Sequence, residues 1–135
     1  MRRFCLVLAS AMAWLGGPAS AAEPPEPPEA PQVLEHRCGD LIVIGRVTVL
    51  SYGDIEDEND LLGHGVFTVD VDIARVLRGS ETRRRVRANF VAHAQIRHDL
   101  DFLMALSPRK GREYLLNRFV IWDRTPRPVL AGKCT

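Results

Sequence analysis

Nothing in this chain is present in marked excess, and several signatures are missing. Its 18 Lys and Arg stand against 17 Asp and Glu in 135 residues, a formal charge of +1, whereas a dedicated nucleic-acid binder carries a strong basic excess. No G-x-S-x-G or H-E-x-x-H motif occurs, so no residue is assigned a catalytic role. Close-spaced metal-ligand pairs are missing too. His93 and His98 are the nearest histidines, and five residues apart they point away from each other on a strand or a helix. No metal and no cofactor are expected. The acidic run Asp54, Glu56, Asp57, Glu58, Asp60 lacks the central Gly and the final Glu of an EF-hand, and reads as a solvated loop.

Long apolar runs are also scarce. The one candidate, Phe4 to Leu15, is too short for a mature membrane anchor and is followed by Gly16, Gly17 and Pro18. With Arg2 and Arg3 before it and Ala19-Ser20-Ala21 after it, residues 1–21 read as a signal peptide cleaved after Ala21. The chain is therefore expected to be periplasmic or secreted, with no membrane span after cleavage. Cleavage removes two basic charges and leaves 16 against 17, a formal charge of −1. Residues 22–32 follow as an acidic spacer whose five prolines exclude helix and paired strand. Residues 33–135 then form one domain, of a size whose single core is thin.

Cysteine is nearly absent from that domain. Cys5 leaves with the signal peptide, and Cys38 and Cys134 remain near the two ends. In an oxidising compartment they read as a disulfide, worth on the order of 4 to 5 kcal/mol for so long a loop in the chain-entropy model.

Period-2 alternation is plentiful. In residues 65–79, Phe67, Val69, Val71 and Ile73 alternate with Thr68, Asp70 and Asp72, and Val86, Ala88 and Phe90 alternate with Arg85, Arg87 and Asn89. With Gly79 and Ser80 as a two-residue turn, this hairpin sets Ile73 opposite Val86, Val71 opposite Ala88, Val69 opposite Phe90 and Asp72 opposite Arg87. In the run 41–50, Val43, Gly45, Val47 and Val49 face inward, and Ile42 and Ile44 make the first half apolar on both sides. Gly45 marks a bulge or bend. A second hairpin is expected from Asp101–Leu106 and Tyr114–Trp122, with the turn signal SPRKG between them and Ala92–Asp99 crossing as at most one helical turn. The alternation of its second strand slips at Asn117 and Arg118, which suggests a bulge. The expected fold is mainly β, a small five-stranded OB-like Greek-key barrel whose closure removes exposed edges.

The opening CGDLIVIGRV, the FTVDVDIARVLRG strand entering a tight turn, the later YLL strand and the terminal Cys134 resemble the netrin-like, tissue-inhibitor-of-metalloproteinases-like OB-fold domains, including exported bacterial relatives. The resemblance covers about Cys38 to Cys134 and speaks for fold more than function. It implies no inhibitory zinc chelation, because that device needs a cysteine at the mature N-terminus and sixteen residues precede Cys38 after cleavage.

The function expected is that of an exported, non-catalytic binding module whose partner is another envelope or extracellular protein, not nucleic acid. It would be met by loops at one barrel end or by the apolar face of Ile42 and Ile44. Two alternatives stay open. Arg83, Arg84, Arg85 and Arg87 could grip an anionic surface polymer, although a mixed-charge sheet face needs no ligand. A small envelope enzyme could use Ser51, His64 or His93.

Overall fold

A computed structural model describes residues 27–55 and 59–133. The expected signal segment, the first residues of the Pro-rich stretch and Cys134 lie outside the described residues. Residues 27–32 form neither helix nor strand, as five prolines in eleven positions require.

Seven strands follow: β1 (Val33–Arg37), β2 (Leu41–Asp54), β3 (Gly65–Arg78), β4 (Arg85–Ala92), β5 (Phe102–Pro108), β6 (Tyr114–Ile121) and β7 (Val129–Lys133). Five of them close a barrel in the order β2-β3-β4-β6-β5. Within the barrel the contact between β4 and β6 is parallel and the other four ladders are antiparallel. This is the expected small OB-like barrel. The second hairpin lies where the turn signal SPRKG placed it. The crossing segment, residues 93–101, contains no helix, and a 3₁₀ turn sits at Lys110–Arg112. Among the described residues no helix is long and apolar enough to cross a membrane.

The alternating residues build the interior. Val43, Val47, Phe67, Val69, Val71, Val86, Ala88 and Phe90 are buried together with Met104, Leu106 and Leu116. The inward and outward sets of β3 and β4 are those read from the sequence, but the register is not. Val71, not Ile73, lies opposite Val86; Val69 faces Ala88, Phe67 faces Phe90, and Asp72 faces Arg85. The pairing is displaced by two residues because the connection is not a two-residue turn. Gly79 does take the left-handed conformation, with φ +90°, but residues 79–84 all belong to the loop, and the Ile73 amide donates to the Arg84 carbonyl (2.8 Å) to close it. The end of β3 pairs with β2 instead, Val76 opposite Val43 and Arg78 opposite Ile42. A displacement of two preserves every inside and outside assignment, so alternation is blind to it.

Ile42 and Ile44 are fully interior. They form a second apolar cluster with Leu34, Leu103 and Ala105, edged by Val120 and Trp122. The cover over the first half of β2 is β1 itself, which brings Leu34 and pairs in parallel with β7. Neither isoleucine offers a surface to a partner, which corrects that part of the expectation. The half-polar second segment of β2 is covered on one side only.

Gly45 marks the transition. The β2–β3 register shifts between Ile44 and Gly45, and a Cβ at Gly45 would stand 2.1 Å from the carbonyl oxygen of Asp72. Only glycine permits that approach. On β6, the slip at Asn117 is a real irregularity: Ala105 pairs with Arg118 and Leu106 with Leu116, leaving Asn117 between them.

Replacing Gly45 by Ala forces the two backbones apart and should cost about 1–3 kcal/mol in urea unfolding. Gly53, on the same strand, has nothing within 4 Å of a new Cβ, and Gly53→Ala should stay within about 0.5 kcal/mol. Equal midpoints for the two variants would contradict the close approach.

Candidate binding surfaces

The strand arginines are bound to their neighbours. On the outer face of β3 and β4, Arg85 Nε donates to Asp72 Oδ1 at 2.6 Å, and Arg87 meets Asp70 Oδ1 at 3.3 Å. These are cross-strand partners in the observed register. Hydrogen bonding to Asp72 raises the Arg85 pKa.

Arg83 is held more firmly. The Glu81 carboxylate accepts the Arg83 amide (2.9 Å), its Nε (3.0 Å) and its NH2 (2.7 Å), and also the Tyr114 hydroxyl (2.7 Å). The Glu81 side chain is only 8% exposed. Four hydrogen bonds, those of Arg83 foremost, lower its pKa from the ordinary 4.5 to about 2. Burial first and the Glu81 bond second raise the Tyr114 pKa. The Arg83 guanidinium also lies 5.9 Å from the centre of the Tyr114 ring, and its NH1 donates to the Arg112 carbonyl at 3.1 Å.

That last bond ties the 79–84 loop to the β5–β6 loop, where sequence reading saw only a turn. Arg109, Lys110 and Arg112 surround Gly111 there. Gly111 has φ +79° and Arg112 has φ +65°, a left-handed backbone that costs a non-glycine residue of order 1 kcal/mol. Among the described residues, no carboxylate forms an ion pair with Arg84, Arg109, Lys110 or Arg112. Leu106 of β5 lies opposite Leu41 of β2, so the β5–β6 loop and the 79–84 loop share the barrel end away from the β2–β3 turn. Arg83, Arg85, Arg87, Arg112, Asp70 and Glu113 line an open trough of ≈ 500 Å³ beside them. The signal available in the sequence was three cations in four residues, RKGR.

At the opposite end, the Asp60 carboxylate accepts the amides of Leu62 (3.2 Å) and His64 (2.5 Å) and bonds His64 Nδ1 (2.8 Å). The His64 side chain is the main cause of a lowered Asp60 pKa. His64 packs edge-on against His93, with ring centres 5.6 Å apart. This contact was hidden from sequence spacing, which compared His93 with His98. Among the described residues, no three His, Cys, Asp or Glu side chains are arranged to hold a metal ion. Ser51 is exposed on β2 opposite Thr68. Ser107 is held by a carboxylate and an amide: it donates to Asp40 and accepts from Asn117.

Asp40 is buried and also accepts the Arg37 amide at 2.8 Å, which fixes the turn carrying Cys38 and Gly39. With buried His36, it borders a polar cleft of ≈ 280 Å³ between β1 and β6. An apolar groove of ≈ 440 Å³ lies between β6 and the crossing segment, floored by Ile96, Leu100, Phe102, Phe119 and Ile121. Comparison of the chain with protein-family models, curated proteins and solved structures found no significant match.

Because the folded-state pKa of Glu81 is depressed, its stabilisation is complete above pH 4.5 and is lost as pH falls toward about 2. Glu81→Gln should therefore lower stability at pH 7 and flatten its loss across that window. Asp99, also lowered to about 2 by its bond to Arg97, contributes equally to both proteins and cancels in the difference. Parallel acid profiles would remove Glu81 as the organiser of this end.

Proposed function

We propose that the mature chain is an exported, non-catalytic binding module that meets an acidic surface of another envelope or extracellular protein through the loops at the Arg83 and Arg112 end of its barrel. The observation that carries this reading is the β5–β6 loop, where Arg109, Lys110 and Arg112 stand within four residues without ion-pair partners among the described residues, tied by the Arg83–Arg112 bond to the 79–84 loop that carries the equally unpaired Arg84. Arg83, Arg85 and Arg87 are neutralised by Glu81, Asp72 and Asp70. They hold the frame, and the loop cations make the contact.

An anionic surface polymer is the second reading, favoured by the open trough along which Arg83, Arg85, Arg87 and Arg112 are spaced. OB-like barrels use this outer face and its flanking loops for extended ligands. The netrin-like resemblance remains a proposal for the fold's relatives and lends no inhibitory mechanism.

Export and the disulfide belong to the same proposal. Cleavage after Ala21 would deliver the domain to an oxidising compartment. Arg37 of β1 lies opposite Lys133 of β7 in a parallel ladder, and in sequence each of these residues is followed directly by one of the two cysteines. Adjacent strands are about 4.8 Å apart, a separation that suits a cystine. Two reactive thiols in the denatured, unreduced mature protein would rule the bridge out.

Pull-down from the cell's own envelope extract should recover an acidic protein with the wild type and with Arg85→Ala/Arg87→Ala, and lose it with Arg109→Ala/Lys110→Ala/Arg112→Ala. Retention by the triple variant would overturn the loop assignment. Heparin serves as a probe for the second reading: if a polymer lies in the trough, the slope of log affinity against log salt should fall by about two in Arg85→Ala/Arg87→Ala, near one per lost contact.

A further inference from the structure

Among the described residues β1 and β7 form a sheet of two parallel strands, held to the rest of the fold through Leu34 of β1 in the second apolar cluster. One bond fixes where the backbone of β7 points. The Val129 amide donates to the Gln32 carbonyl at 2.9 Å, and successive residues of a strand turn their N–H and C=O to opposite sides. Val129, Ala131 and Lys133 therefore address β1, and Leu130 and Gly132 address the outer edge. Among the described residues no strand pairs with that edge.

The two outer edges of this sheet are built differently. On β1, the Arg37 amide donates to the Asp40 carboxylate (2.8 Å) and the Arg37 carbonyl accepts the Asp40 amide (3.2 Å). Glu35 and Arg37 add exposed charges, a common guard against strand pairing. On β7, residues 129–132 carry neither charge nor proline, and the ladder with β1 runs over five rungs without a register shift. Leu130 and Gly132 share the inward face of their rung partners, the buried Leu34 and His36. Leu130 nonetheless stays 42% exposed. At Gly132 a Cβ would stand 3.1 Å from the His36 ring and 3.7 Å from the Arg78 guanidinium, so this position is kept free of a side chain.

A bare leucine and, two residues on, an empty position are each other's complement. An antiparallel two-fold centred on Ala131 sets Leu130 of each copy opposite Gly132 of the other. In both pairs the outward N–H and C=O groups face one another and exchange both of their hydrogen bonds. Each leucine then lies across the other copy's glycine, beside the His36 ring. Ala131 meets Ala131 as the closely spaced non-hydrogen-bonded pair, about 4.5 Å between Cα atoms. An axis at Leu130 would instead put Gly132 opposite Pro128, which has no N–H to give. We propose that two copies of this chain associate through the outer edges of β7, antiparallel about Ala131, so that their sheets join in the order β1-β7-β7-β1. The size match of Leu130 to Gly132 is within one sequence, which favours a second copy over an unrelated strand. The pairing uses none of the loop cations, so the failure of either reading leaves the other standing.

An edge of five residues makes a small interface. Sedimentation velocity of the mature chain from roughly 1 to 500 µM should show a reversible monomer–dimer equilibrium. Leu130→Pro deletes an outward amide and keeps every bond to β1, and should weaken association at least about tenfold. If that variant does not fold, Leu130→Lys, which keeps the backbone and places an inward charge on the edge, carries the same expectation. Val129→Thr, whose amide faces β1, should leave association unchanged. Register is read by cross-linking: on mild oxidation Ala131→Cys should give a disulfide dimer, since Ala131 faces its own copy at a cystine-like separation. Val129→Cys, displaced from its copy along the strand, should not, nor should the wild type. A wild type that stays monomeric, a dimer indifferent to the folded Leu130 variant, or equal cross-linking through positions 129 and 131 would each overturn the pairing. A monomeric wild type whose envelope pull-down loses a protein on Leu130→Lys would assign the edge to a strand of that protein instead.

Discussion

The close passage of Gly45 against the Asp72 carbonyl is the constraint on which the rest of this domain depends. At that point β2 stops being a strand buried on both faces and becomes a strand buried on one. Before it, Val43 looks into the barrel while Ile42 and Ile44 look out into the second cluster. After it, the strand leaves β5 and continues with β3 alone. The change from a strand covered on both faces to one covered on a single face falls at the one residue without a side chain, where the β2–β3 register shifts.

Much of the architecture was legible because burial imposes alternation, and alternation survives in the sequence. The two-faced start of β2, the bend at Gly45, the second hairpin and the irregularity at Asn117 all left local marks. The register of β3 against β4 did not. Val71 and Ile73 are equally good inward residues, and choosing between them as the partner of Val86 depends on how the 79–84 loop is bonded. That bonding comes from Glu81, whose carboxylate reaches Arg83 and, across 33 positions of sequence, Tyr114. A contact so distant in sequence has no periodicity to announce it.

The surfaces were harder still. A cluster of arginines drew notice, but adjacency in sequence does not distinguish a paired cation from an unpaired one. Arg85 and Arg87 have Asp72 and Asp70 directly across the ladder, and the loop cations have no such partner among the described residues. Ile42 and Ile44 drew notice as an apolar face, and the chain itself supplies the cover. The result is a barrel with opposite electrical character at its ends: cationic loops about Arg112, and a carboxylate-bonded leucine turn about Asp60. In a molecule whose total charge is near zero, this separation gives direction to any encounter.

The ladder between β1 and β7 also governs the order of events as the chain matures. β1 is among the first segments of the domain to be made, and its only strand partner among the described residues is the last. Contacts so far apart along the chain form late, because loop closure must precede them. Until β7 arrives, the greasy outer side of β2 and β5 lacks its lid, and a half-made chain carries an adhesive patch that invites holdase chaperones or aggregation. Quality control of this small domain thus falls on its final few residues.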